Sequence, residues 1–137
     1  MKYRLIALVA LVSLLALCSS AALAETKTYS YALKPQSDIK YFSYGHVASK
    51  ADNEGAYYVT QTATYFGSRP IFYRAVYPDG TGLYEVSKAI KMTRNGSKSA
   101  SYTISVWAGR EFSLGAIVAA DGTDDTTRHI IRGRWTP

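Results

Sequence analysis

The chain reads as an all-β protein, an antiparallel β-sandwich of about seven or eight short strands. Three observations predict this. Apolar and polar residues alternate with period two over most of the chain beyond residue 25, the pattern of strands with one buried face. Clusters of Gly, Pro, Asn and Asp interrupt these runs every ~8–14 residues, where turns need them. No stretch beyond residue 25 carries the i, i+3, i+4 apolar spacing of a helix. The Cys…Trp…Cys signature of immunoglobulin domains is missing, so the prediction is of architecture alone.

The first 24 residues are set apart as a secretory signal peptide. Lys2 and Arg4 form a positive head, Leu5 to Leu17 an uncharged run, and Ala22-Leu23-Ala24 a small-residue cleavage site before Glu25. The run is short of the about 20 residues that span a bilayer. The mature chain is therefore expected to begin near Glu25, to be secreted, and to lack a transmembrane segment. Leu15-Ala16-Leu17-Cys18 supports an alternative, a lipoprotein anchored through Cys18, although Leu17 is larger than that cleavage prefers. Removing 24 residues leaves 113, a length for one domain, 25–137.

The elements follow in order. Tyr29, Tyr31 and Leu33 face one way, Thr28, Ser30 and Lys34 the other, and Pro35 ends the run. Residues 39–49 are irregular, broken by Gly45, and Asp52-Asn53-Glu54-Gly55 is a turn. Tyr57, Val59, Ala63 and Tyr65 alternate with Tyr58, Thr60, Thr62 and Thr64 in a strand rich in β-formers. Gly67 to Pro70 turns the chain into a strand with Ile71, Tyr73, Ala75 and Tyr77 on one face, closed by Pro78-Asp79-Gly80. Leu83 to Ser87 reads as a short strand. Ile90 and Met92 lead to Asn95-Gly96, which predicts a two-residue hairpin because both residues tolerate positive φ. Tyr102, Ile104 and Val106 are expected to form the return strand, and Phe112, Leu114, Ala116 and Val118 the next. After the polar loop Asp121 to Thr127, His129, Ile131 and Trp135 close the chain opposite Arg128, Arg132 and Arg134.

Composition narrows the chemistry. The chain holds 16 Lys and Arg against 10 Asp and Glu; without Lys2 and Arg4 the excess is about +4. That suits contact with an anionic cell wall, a membrane surface or an acidic protein partner, and is too small to argue for nucleic acid. The single cysteine lies in the signal, which removes disulfides, thiol nucleophiles and Cys-ligated metals from the mature chain. No G-x-S-x-G elbow or H-E-x-x-H pair accompanies His46 and His129, and the acids sit mostly in turns, so no catalytic residue is assigned and an enzyme is not expected. Asp121-Gly122-Thr123-Asp124-Asp125 offers oxygen donors that calcium favours. The spacing is not that of an EF-hand, and a plain solvated loop uses the same residues, so no metal or cofactor is assigned.

Two basic groups are candidate binding residues. Lys88, Lys91, Arg94 and Lys98 form an acid-free run around Asn95-Gly96, and Arg128, Arg132 and Arg134 share one face of the last strand. Either set also serves to keep sheet edges from aggregating. Of the 12 tyrosines, Tyr57 and Tyr58 are adjacent and must face opposite sides, so not all can be core. Tyr58, Tyr73 and Trp107 are the candidate aromatic contacts for a sugar or a protein.

The layout consists of a signal peptide, then Tyr29-Ser30-Tyr31-Ala32-Leu33-Lys34-Pro35, a Thr-rich central strand, Phe112-Ser113-Leu114-Gly115-Ala116, and the ending Arg132-Gly133-Arg134-Trp135-Thr136-Pro137. It resembles a family of small exported proteins of unknown function from Gram-positive bacteria, often encoded beside bacteriocin-type ABC transporters. The resemblance implies a role near peptide export or immunity and no mechanism. The expectation is thus a secreted, monomeric or weakly self-associating β-sandwich that acts by binding at the cell envelope. A membrane-active antimicrobial effector and a carbohydrate-binding module are the alternatives.

Overall fold

The computed structural model describes residues 25–36, 43–63, 69–78, 85–119 and 128–137. The expected signal peptide with Cys18, the Asp121–Asp125 calcium candidate, and Tyr65, Asp79-Gly80 and Leu83 lie outside the described residues. The described residues form nine strands: β1 (Lys27–Leu33), β2 (Pro35–Gln36), β3 (Ser43–Ser49), β4 (Ala56–Ala63), β5 (Ile71–Val76), β6 (Ile90–Met92), β7 (Gly96–Ser101), β8 (Glu111–Ala119) and β9 (His129–Thr136). They form an antiparallel β-sandwich, except that two-residue β2 runs parallel to β8. One sheet has the order β1-β9-β4-β7; the other has β2-β8-β5-β6, with β3 also on β8.

Alternation places the core between the sheets. Tyr29, Tyr31 and Leu33 of β1 are buried, as are Tyr57, Val59 and Gln61 of β4, and Ile71, Tyr73 and Ala75 of β5. Ile131 and Trp135 complete the layer from β9. Central β8 is buried from Phe112 to Val118, on both faces rather than one.

Much of this interior is tyrosine, and the phenols need partners because an unpaired buried hydroxyl costs about 1–3 kcal/mol. The Tyr29 hydroxyl donates to Tyr73 Oη at 3.1 Å, and Tyr73 donates to Gln61 Oε1 at 2.7 Å. Gln61 Nε2 donates in turn to Asn95 Oδ1 at 3.4 Å, carrying the chain of bonds to the surface. Tyr31 donates to the Leu114 carbonyl in the opposite sheet. Tyr57 shares its proton between the carbonyls of Tyr73, at 2.9 Å, and Lys88, at 2.8 Å. Burial pushes the Tyr29 and Tyr57 phenols up to about 12 and raises Tyr31, Tyr73 and Tyr102 further. Gly133 makes room for this network: a Cβ there would lie 2.0 Å from the Thr60 carbonyl oxygen and 2.5 Å from Tyr29 Oη.

Three sequence expectations are corrected. Asn95-Gly96 is not a two-residue hairpin turn, because β6 pairs with β5 in one sheet and β7 with β4 in the other. The segment steps between sheets. Only Gly96 takes positive φ, at +149°, where a glycine is needed, while Asn95 does not. The strand after this step is polar Gly96–Ser101, not Tyr102, Ile104 and Val106. As an edge strand lying over solvent it needs no apolar alternation. Of the expected strand at 83–87, the described residues 85–87 form two isolated bridges, Val76–Glu85 and Ser87–Tyr102, and no continuous strand.

Candidate anion-binding surface

Between Glu85 and Glu111 the chain runs through 25 residues without an acid. Lys88, Lys91, Arg94 and Lys98 lie in this interval, all exposed, along the flank where the β6 edge of one sheet meets the β7 edge of the other. Local structure fixes each backbone position. The Lys88 carbonyl accepts the Tyr57 phenol, and its N–H donates to the Ser101 carbonyl at 2.9 Å. Lys91 sits between buried Ile90 and Met92, so the pleat turns it outward. Lys98 reaches across the gap between the sheets, and its Nζ donates to the Lys91 carbonyl at 2.8 Å. Arg94 occupies the bend itself. A cleft of about 420 Å³ opens beneath the bend, lined by Thr93, Arg94, Asn95, Ser97 and Lys98 among others.

The second basic group continues from this flank onto the outer face of the β1-β9-β4-β7 sheet. Arg132 and Arg134 are exposed there, opposite buried Ile131 and Trp135, while exposed Arg128 stands just before β9. Register places Thr28, Arg134, Thr60 and Ser97 in one row across all four strands, with Ser30 beside Arg132. Thr60 Oγ1 and Ser97 Oγ are 2.8 Å apart. Two strand spacings separate Arg134 from the flank, roughly 10 Å. None of the four strands contains an acid. None of the seven cations pairs with a described acid, whereas Glu25 is paired with Lys27, Asp52 with Lys50 and Glu85 with Arg74. The flank and face therefore offer unneutralised donors, guanidinium forks beside hydroxyls, suited to phosphate or carboxylate oxygens.

The aromatic candidates separate. Tyr73 is corrected: it is 0% exposed, on the same inward face as Ile71 and Ala75, and its hydroxyl is used inside the core. Tyr58 is 44% exposed and donates to Glu54 Oε1, a contact that raises its phenol. Trp107 is 54% exposed in a turn at the same end of the sandwich as Glu54, where the Ala108 N–H donates to Asn53 Oδ1 at 2.9 Å.

Lys50, which the sequence did not single out, and His46, to which it assigned no role, organise that end and the flank opposite β6 and β7. Lys50 is only 2% exposed, and its Nζ meets Ala56 O at 3.2 Å, Pro137 O at 3.1 Å and Asp52 Oδ1 at 3.2 Å. The Glu54 N–H, then the Lys50 ammonium, hold the Asp52 carboxyl below its usual range. His46 takes φ +57° where β3 shifts register against β8. Its carbonyl accepts Trp135 Nε1–H at 2.8 Å, and its Nε2 accepts the Ser30 N–H at 3.4 Å. These contacts make His46 a fastener between the sheets. Among the described residues no three His, Asp or Glu side chains converge as a metal site would require. No helix among the described residues is long and apolar enough to cross a membrane.

Fold and surface together define a class: an antiparallel β-sandwich whose flank and one outer face are cationic and hydroxylated, with no acid on the described strands of that face. Compared with protein-family models, curated proteins and solved structures, the chain matches none.

Proposed function

We propose that this chain is an exported, non-enzymatic protein that attaches to the anionic phosphodiester polymers of a cell envelope. The observation that carries the reading is the unpaired cationic flank of Lys88, Lys91, Arg94 and Lys98, extended by Arg132 and Arg134. Clustered cations without intervening acids concentrate a polyanion, and the hydroxyl rows between them supply further donors. The flank is lined by exposed charged and hydroxylated side chains, which favours a polymer lying across it over insertion into a bilayer.

Co-sedimentation of the purified 25–137 chain with isolated cell walls, intact or chemically stripped of phosphate polymers, tests the proposal. Binding is expected to intact walls alone. If four phosphates are neutralised, affinity should fall by at most about 50-fold between 50 and 200 mM salt, taking the coefficient for flexible single strands. Replacing Lys88, Lys91, Arg94 and Lys98 together by glutamine should abolish binding without altering the thermal midpoint. Equal binding to stripped walls would reject the proposal. Dye release from anionic liposomes would favour the membrane-active alternative.

A further inference from the structure

We infer that the Trp107 indole is a stacking platform for an uncharged pyranose ring, at a site separate from the cationic flank. The side chain ends a column of stacked groups that begins in the core. Phe112, 0% exposed, lies under the Tyr77 ring at 6.0 Å with 23° between planes. The Arg110 guanidinium stands 4.5 Å from the Tyr77 centroid, and 4.3 Å from it is the centroid of Trp107. Arg110 Nη2 also donates to the Tyr77 hydroxyl, which fixes the plane of the guanidinium. One side of the indole thus has a rigid backing.

The turn beneath is equally constrained. Gly109 takes φ +83°, a left-handed conformation that glycine adopts without strain. Its N–H donates to the Lys50 carbonyl at 2.7 Å, the Lys50 N–H to the Arg110 carbonyl at 2.9 Å, and the Ala108 N–H to Asn53 Oδ1 at 2.9 Å. Lys50 is itself clamped by three oxygens, so the turn is tied to the buried end of the sandwich. A tryptophan left 54% exposed on such a base keeps its orientation without a ligand, and little side-chain entropy remains to be lost on binding.

The surroundings select the ligand. Ser105, Ala108 and Gly109 are exposed and small, so the indole stands clear of its neighbours in the turn. A protein interface needs about 800 Å² from each partner around such an anchor, and one ring rimmed by small and polar residues does not supply it. It does match the apolar C–H face of one sugar ring. Asn53 has its Oδ1 engaged, which leaves Nδ2 to donate to a sugar hydroxyl. Exposed Asp52, Glu54 and Glu111 belong to the same end of the sandwich and disfavour an anionic sugar. Neutral or N-acetylated oligosaccharides are the ligand class.

Intrinsic fluorescence tests this directly, because the chain has two tryptophans and the other, Trp135, is 1% exposed with its Nε1 bonded inside. Titration with cellohexaose and with the hexamer of N-acetylglucosamine should shift and quench the Trp107 emission with one of them at millimolar concentration. By isothermal titration calorimetry, which does not need the indole, Trp107→Ala should weaken that binding about tenfold or more with the thermal midpoint unchanged, Trp107→Phe should retain part of it, and the four-fold glutamine variant of the flank should bind as the parent does. Emission unmoved by either oligosaccharide overturns the inference, as does full affinity in Trp107→Ala. Because the flank variant reads only the phosphodiester reading, either proposal can fail while the other stands.

Discussion

Alanine at position 133 places one methyl group where the tyrosine interior has no space. The added carbon would lie 2.0 Å from the Thr60 carbonyl oxygen, 2.5 Å from Tyr29 Oη and 2.6 Å from Tyr29 Cζ. The carbonyl belongs to the ladder joining β4 to β9, in which Gln61 faces Gly133 and Thr60 faces Arg134, so it cannot retreat without breaking strand pairs. The phenol must move instead, and it is the group that donates to Tyr73. Overpacking costs about 1–3 kcal/mol, and a buried hydroxyl stranded without its partner adds about 1–3 kcal/mol. Taking the middle of both ranges gives about 4 kcal/mol. With roughly 2.1 cal/mol/K of unfolding entropy per residue over the 113 residues from 25 to 137, the thermal midpoint should drop by about 17 °C. Circular dichroism melts of Gly133→Ala and Gly55→Ala measure it; nothing lies within 4 Å of a Cβ at Gly55, so that variant is the control. A Gly133→Ala midpoint within about 3 °C of the parent would refute the reasoning, because the interior would then yield to an extra methyl.

Two further outcomes follow from buried polar groups. Lys50→Met keeps most of the side-chain volume but orphans the oxygens of Ala56 and Pro137, so urea denaturation should show a loss of about 2–4 kcal/mol, and an unchanged midpoint would mean that the ammonium is not a fastener. In alkali, the phenols of Tyr29 and Tyr57 are raised from 10.0 to about 12 in the folded chain, so the unfolded chain loses its protons first. Their contribution to stability is whole below pH 10 and declines as pH rises through 12, so phenolate absorbance should appear together with the loss of far-ultraviolet dichroism. Full phenolate signal by about pH 11 with the strand spectrum intact would contradict this.

The sequence carried the strand faces well because burial in a strand alternates locally. Tyr29, Tyr31 and Leu33, then Tyr57 and Val59, point inward as their spacing implies. Partner choice is not local. Asn95-Gly96 signals a chain reversal, but which sheet receives β7 depends on the open edge of β4, about 35 residues earlier. Serines at the edge leave no apolar alternation to read, whereas Tyr102, Ile104 and Val106 alternate without forming a strand. At the surface, the cations were legible as a charge run, but not the way two strands from different sheets bring Lys91 against Lys98. Tyr73 shared parity with Ile71 and Ala75, which already placed it in the core. Arg110 left a faint trace in its position after Gly109, but its partner Tyr77 is distant in sequence. A buried lysine such as Lys50 leaves none, since only the oxygens gathered by the fold make its burial tolerable.

The pairing of β1 with β9 has a mechanical consequence. Lys27 lies opposite Trp135, and the hydroxyls of Thr26 and Thr136 are 2.8 Å apart. Tension applied between residues 25 and 137 would therefore peel two neighbouring strands apart from one end, loading each rung of the ladder in turn and never all of them in shear. Once the grip of Lys50 on Pro137 is released, the sandwich would open like a zipper under modest force.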